Sequence, residues 1–232
     1  MGQYYQPILG NKDGLKCKVF DRSIDGEYTL AKLLEHSWWQ NSFVNAFSEF
    51  LYNEPSRTCW VGDYADEPDD FDFPNCSAFY VPCYKEVWSE TITTNTVSSS
   101  DFTLDGKLML NHDTKQFIDL DEYKSASMDK HGWVIHPLPL LTAVGNDRGG
   151  GDFHEGNTGY ENVGIWAWQL LSFADKPPKG FSKFYLVLSP LPNWDFKNQS
   201  INLIEADSGN HEYTIYTGIY NSKTAYLWKK IL

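Results

Sequence analysis

YTLAKLLEHSWWQNSFVNAFSEFLYNEPSRTCWVGDY, residues 28–64, changes its periodicity once, and that change decides the fold class. Leu30, Leu33 and Leu34, then Phe43, Val44, Phe47, Phe50 and Leu51, recur at three- and four-residue steps, the spacing that gathers apolar side chains along one helical stripe. His36 to Asn41 interrupts the period, so the stretch predicts two helices or one kinked helix, with Thr29 as its candidate cap. Asn53-Glu54-Pro55 ends it, and Thr58–Val61 reads as a strand.

Strand signals dominate beyond this point. They fall at Ala78–Val81, Val87–Thr94, Gly132–His136, Gly164–Trp168, Phe184–Leu188, Tyr213–Tyr216 and Ala225–Trp228. Lys107–Leu110 and Gln116–Leu120 form a predicted hairpin around the turn Asn111–Lys115. The pattern predicts an α+β fold, a mainly antiparallel sheet with an N-terminal helical region at 28–52 packed on it. No linker or repeat divides residues 1–232, which are read as a single domain.

Composition narrows the function classes. The chain carries 31 acids against 19 basic residues, a formal charge of -12, and its only arginines are Arg22, Arg57 and Arg148. Such a surface repels a nucleic-acid backbone and leaves a basic protein partner open. Cys17, Cys59, Cys76 and Cys83 form no C-x-x-C pair and suggest buried thiols in a reducing compartment. With no secretory leader and no apolar run of membrane length, the expectation is a cytoplasmic protein without a membrane partner.

The strongest candidate site is HPLPLLTAVGNDRGGGDFH, residues 136–154. His136 precedes Pro137 and is biased to extended geometry, a bias that Pro139 prolongs. Gly145, Gly149, Gly150 and Gly151, with Asn146, permit the positive φ angles that turn consecutive backbone N–H groups towards an anion. Arg148 adds a planar donor fork suited to phosphate or carboxylate. Asp152 and His154, two residues apart, face one side if extended, and with His136 and Asp63 they make up the candidate acid–base set. The plainer reading is a flexible connection in which Arg148 pairs with an acid. Neither a Walker loop nor a dinucleotide fingerprint is present, and the cofactor is unknown.

A second candidate is Trp60-Val61-Gly62-Asp63-Tyr64, a strand running into a glycine turn. Trp60 and Tyr64 can offer a stacking face and Asp63 a strand-end carboxylate; equally, Trp60 packs in the core and Asp63 holds its own turn. His112, in the predicted hairpin turn, joins the ligand-binding set only if that turn approaches the glycine loop. No H-E-x-x-H or Cys/His metal-ligand spacing is evident, and the alternative is a composite site drawn from Asp63, His112, His136, Asp152 and His154.

The opening Met-Gly-Gln-Tyr-Tyr, followed by LLEHSWWQNSFV, WVGDYAD, NHDTKQFIDL, HPLPLLTAVGNDRGGGDF and VGIWAWQLLSF, resembles an uncharacterised family of bacterial, phage and fungal hypothetical proteins that begin MGQYY or MGQYW and share a GNxRGGGD motif. The resemblance runs to about Phe173 and implies no particular activity. Members of that family often carry Gly in place of Asp147, and Ala-Arg-Asp in place of Ala167-Trp168-Gln169. Three readings remain, the last a structural or assembly module in which these motifs only maintain the fold. The first is binding, with or without hydrolysis, of a small anionic, nucleotide-like ligand at the glycine-rich loop. The second is an acidic protein-binding inhibitor or an immunity or anti-defence protein that meets a basic partner through the acidic run Asp63–Phe73.

Overall fold

The computed structural model describes residues 4–12, 17–24, 27–28, 32–39, 41–63, 65, 95–98, 100–128, 132–145, 153, 157–192, 213–220 and 223–230. The chain is α+β, with a mixed, mostly antiparallel sheet and a few helices. Its strands are β1 (Tyr5–Gly10), β2 (Cys17–Ile24), β3 (Glu27–Tyr28), β4 (Ser56–Gly62), β5 (Asn95–Val97), β6 (Leu108–Asn111), β7 (Gln116–Asp119), β8 (Ala143–Val144), β10 (Gln169–Ala174) and β11 (Ser182–Lys183). They lie in the order β11-β7-β6-β10-β4-β1-β2-β3, with β5 on β2 and β8 on β4. Two further pairs stand apart from this sheet. One joins β9 (Asn157–Thr158) to β12 (Ser189–Pro192), and the other is the hairpin of β13 (Tyr213–Tyr220) and β14 (Lys223–Lys230).

The helical region at 28–52 contains α1 (Leu33–His36) and α2 (Ser42–Asn53), separated where the apolar period fails. Asn41 caps α2, its side-chain oxygen accepting the Val44 N–H at 3.1 Å; Thr29 lies outside the described residues. Phe43, Val44, Phe47 and Leu51 face the sheet and are buried. Phe47 meets Trp60 of β4 edge-on at 5.0 Å between ring centroids, and Phe43 meets it at 6.2 Å. This aromatic seam fixes α2 over the middle of the sheet.

Several strand readings hold. The hairpin is β6 and β7, which pair antiparallel around residues 112–115, and β13 and β14 cover the predicted C-terminal strands. Others do not. Gly132–His136 makes only an isolated bridge, Ile135 to Trp38, because its partner segment is three residues long. Gly164–Trp168 is a run of turns in which Gly164 (φ 75°) and Trp168 (φ 57°) leave extended geometry. Phe184–Leu188 carries no strand. Pro137–Leu141, whose prolines suggested extension, forms a short helix, α4, because proline's fixed φ suits the first helical position. A further helix, α3 (Leu120–Ser127), follows β7 directly, capped by Asp119. Ala78–Val81 and Val87–Thr94 lie outside the described residues.

Replacing Phe47, which is fully buried, with Ala should lower unfolding free energy by about 3–5 kcal/mol. Phe50→Ala, one turn on and 41% exposed, should cost under about 1.5 kcal/mol. Urea denaturation of the two variants checks the assignment of the buried face.

Candidate functional site

His136 is fully buried, and each of its polar groups has a structural partner. Its backbone N–H donates to Ser37 O at 2.5 Å. As the cap of α4, its Nδ1 accepts the Leu138 N–H at 3.1 Å. The Ser48 hydroxyl donates to Val44 O, so the 3.2 Å contact between Ser48 Oγ and His136 Nε2 assigns the ring proton to Nε2. Burial pushes the imidazole pKa down from 6.5 to about 3, which keeps the ring neutral. A histidine expected as an acid–base residue is thus a structural tie between α2, α4 and the segment before α2.

From α4 the chain passes into β8, which pairs parallel with β4 in the register Trp60 to Ala143 and Val61 to Val144. Gly62-Asp63 and buried Gly145 therefore leave the same edge of the sheet, side by side. Asp63 is anchored there: its N–H donates to Tyr4 O at 2.9 Å and its Oδ1 accepts the Tyr4 N–H at 3.1 Å. Trp60 is 2% exposed and belongs to the aromatic seam under α2, so it offers no stacking face. Phe153 is fully buried in the core, which tethers the far end of the glycine-rich segment. Asn146, Arg148, Gly149, Gly150, Gly151, Asp152 and His154 lie outside the described residues, as does Tyr64.

His112 belongs elsewhere. Its backbone N–H donates to Leu170 O, and Leu170 pairs with Arg57 at the opposite end of β4 from Asp63. Five residues of strand separate Arg57 from Gly62, or about 16 Å at about 3.3 Å per residue. A composite site holding both His112 and Asp63 is therefore not formed. His136 lies at the end of α4 remote from β8 and joins neither.

Around His112 the structure assembles a polar cluster of its own. His112 Nε2 contacts Ser172 Oγ at 2.8 Å, and desolvation lowers the ring's pKa despite the nearby Asp113. Arg57, 9% exposed, reaches Asp113 at 2.9 Å, Trp168 O at 3.0 Å and Lys12 O at 3.0 Å. Asn111 donates to Gln169 and accepts from the Asp113 and Thr114 N–H groups. Trp168 sits here in left-handed backbone, its indole so close to Gly10 that a Cβ there would lie 2.6 Å from Cη2. Gln169 satisfies Asn111, while Arg57 supplies the cluster's guanidinium. These bonds close on one another and brace the hairpin against β10 and β4.

Sequence reasoning passed over Trp38, Trp39, Trp133 and Asn45, which line two adjoining recesses beside α3. The available signal was the pair Trp38-Trp39 inside the stretch that breaks the helical period. Among the described residues no three His, Cys, Asp or Glu side chains gather as a metal site, and no helix is long and apolar enough to cross a membrane. Compared with protein-family models, curated proteins and solved structures, the chain matches none.

The neutral, buried state of His136 has a pH signature. Above pH 6.5 the ring is neutral whether the chain is folded or unfolded. Below it the unfolded chain takes up a proton that the folded state refuses until about pH 3, so stability falls by about 1.4 kcal/mol per pH unit in that window. His136→Asn keeps a capping acceptor and removes the titration. The stability difference between wild type and variant should move against wild type by about 2 kcal/mol between pH 7.5 and pH 5. An unchanged difference in urea unfolding at the two pH values would contradict the assignment.

Proposed function

We propose that this chain binds a small anionic, nucleotide-like molecule at the edge where β4 and β8 end side by side. One observation carries the reading: the parallel register of these strands puts the turn at Asp63 next to Gly145, from which the segment containing Arg148 and the three glycines departs. Carboxyl ends of adjacent parallel strands release their loops in one direction, and such edges are recurrent ligand sites in α/β sheets. In this reading Arg148 and the N–H groups of residues 149–151 hold the anionic group, and Asn146 supports them. Tyr64, directly after Asp63, supplies an aromatic face. Asp152 and His154 are the polar pair beside the ligand, whereas His136, His112 and Trp60 stay out of it for the structural reasons given above. The acidic run behind the protein-partner alternative lies outside the described residues apart from Asp63 and Ala65.

A thermal-shift titration with ATP, cyclic AMP, ADP-ribose and inorganic pyrophosphate tests this. At a hundredfold excess over Kd, binding contributes about 2.7 kcal/mol, which for a chain of this size is a rise of roughly 5–10 °C. Arg148→Ala should abolish the rise without lowering the Tm of the free protein, and His112→Ala should leave the rise intact. Absence of a shift with all four ligands would overturn the reading.

A further inference from the structure

Two recesses of different character adjoin beside α3, with Trp39 and Lys124 as their common border. The first, of about 290 Å3, is walled by Trp38, Trp39 and Trp133. The second, of about 280 Å3, is polar and includes Asn45, Asp101, Thr103 and Asp105. Each recess is close to the lower bound of small-ligand pockets, about 300 Å3.

The aromatic wall is built on a braced frame. Residues 37–39 and 134–136 run antiparallel, joined by Trp39 N–H to Val134 O (2.9 Å), the Trp38–Ile135 bridge and His136 N–H to Ser37 O. Tyr123 of α3 locks the same frame from behind, its hydroxyl donating to Ile135 O at 2.7 Å. Onto this frame the chain places Trp133, 56% exposed, in edge-to-face contact with Trp38. Trp133 and Trp38 together present an aromatic patch at the surface.

Geometry and charge select the ligand. Trp38 and Trp133 stand 4.8 Å apart between centroids and 67° between planes, so they form a corner. A flat nucleobase held between two rings needs them parallel and about 7 Å apart, twice the roughly 3.5 Å contact distance. A puckered ring with C–H groups on its faces fits such a corner. The cation position over the Trp39 ring is already taken by Lys124, whose Nζ lies 5.3 Å from the ring centre while pairing with Asp105 at 3.0 Å. An anion is opposed locally by Asp101, the carboxylate of the polar recess that Lys124 does not neutralise. The polar recess instead offers acceptors. Asn45 Oδ1 is buried with no hydrogen-bond donor among the described residues, a costly state that a ligand hydroxyl would relieve. Ser100 adds no donor, since its hydroxyl is given to Glu49.

From these features we infer that the adjoining recesses bind a neutral saccharide. One sugar ring lies against Trp133 and Trp38, and hydroxyls of that ring or its neighbour donate to Asn45 Oδ1 and Asp101. This site is separate from the proposed anion site and does not depend on Arg148.

Saturation-transfer NMR on the full chain with maltotriose, cellotriose, mannotriose and N,N′,N″-triacetylchitotriose tests the inference. At least one of the four saccharides should receive saturation, and titration of tryptophan fluorescence should then show Trp133→Ala and Asp101→Ala each weakening that saccharide tenfold or more. Both side chains are exposed, so the Tm should hold. Arg148→Ala should leave saccharide binding unchanged, which separates this result from failure of the anion site. No transfer to any of the four, or equal affinity in Trp133→Ala, would overturn the proposal.

Discussion

One buried histidine holds together α2, the start of α4 and the segment before α2. His136 ties Ser37, Ser48 and Leu138 into one knot, and three structures depend on it. The antiparallel frame that carries Trp38, Trp39 and Trp133 ends on its backbone N–H. The start of α4 is capped by its Nδ1. Through α4 it sets where β8 meets β4, and so where the chain leaves towards Arg148. Burial makes this arrangement conditional on a neutral ring, since a protonated Nδ1 can no longer accept from Leu138.

The same sheet keeps its polar groups at separate ends. Arg57 with Asp113, His112 with Ser172 and Asn111 with Gln169 pair at one end of β4, beside the left-handed backbone of Trp168. Asp63 and the exit from β8 occupy the other end. What brings residues of distant sequence together here is strand register: a parallel pair of two residues is enough to align the turn after β4 with Gly145.

Much of the fold was legible in the sequence because it rests on periodicity. The apolar steps from Phe43 to Leu51 mark α2, the break at His36–Asn41 marks the gap before it, and the hairpin at Asn111–Lys115 lies where its turn residues put it. Short elements were less legible, because tertiary partners decide them. Pro137–Leu141 reads as extended from its prolines but becomes helical once His136 supplies a cap. Gly132–His136 has strand-like composition but only a three-residue partner.

The site was legible as residue types and less so as positions. The special backbone, the rare arginine and the strand-end acid all pointed to residues 136–154 and 60–64. Burial separates the members of that set: residue type alone cannot distinguish a histidine whose two nitrogens are taken from one that faces a substrate. The tryptophan cleft was missed for the opposite reason, since its walls come from three stretches, 38–39, 124 and 132–134, that no local pattern links. The central assignment is most directly tested by nitrogen-15 NMR of the His136 ring across pH 4 to 8. A constant neutral signal with the proton on Nε2 is the predicted result; titration near pH 6.5, or a proton on Nδ1, would contradict the account.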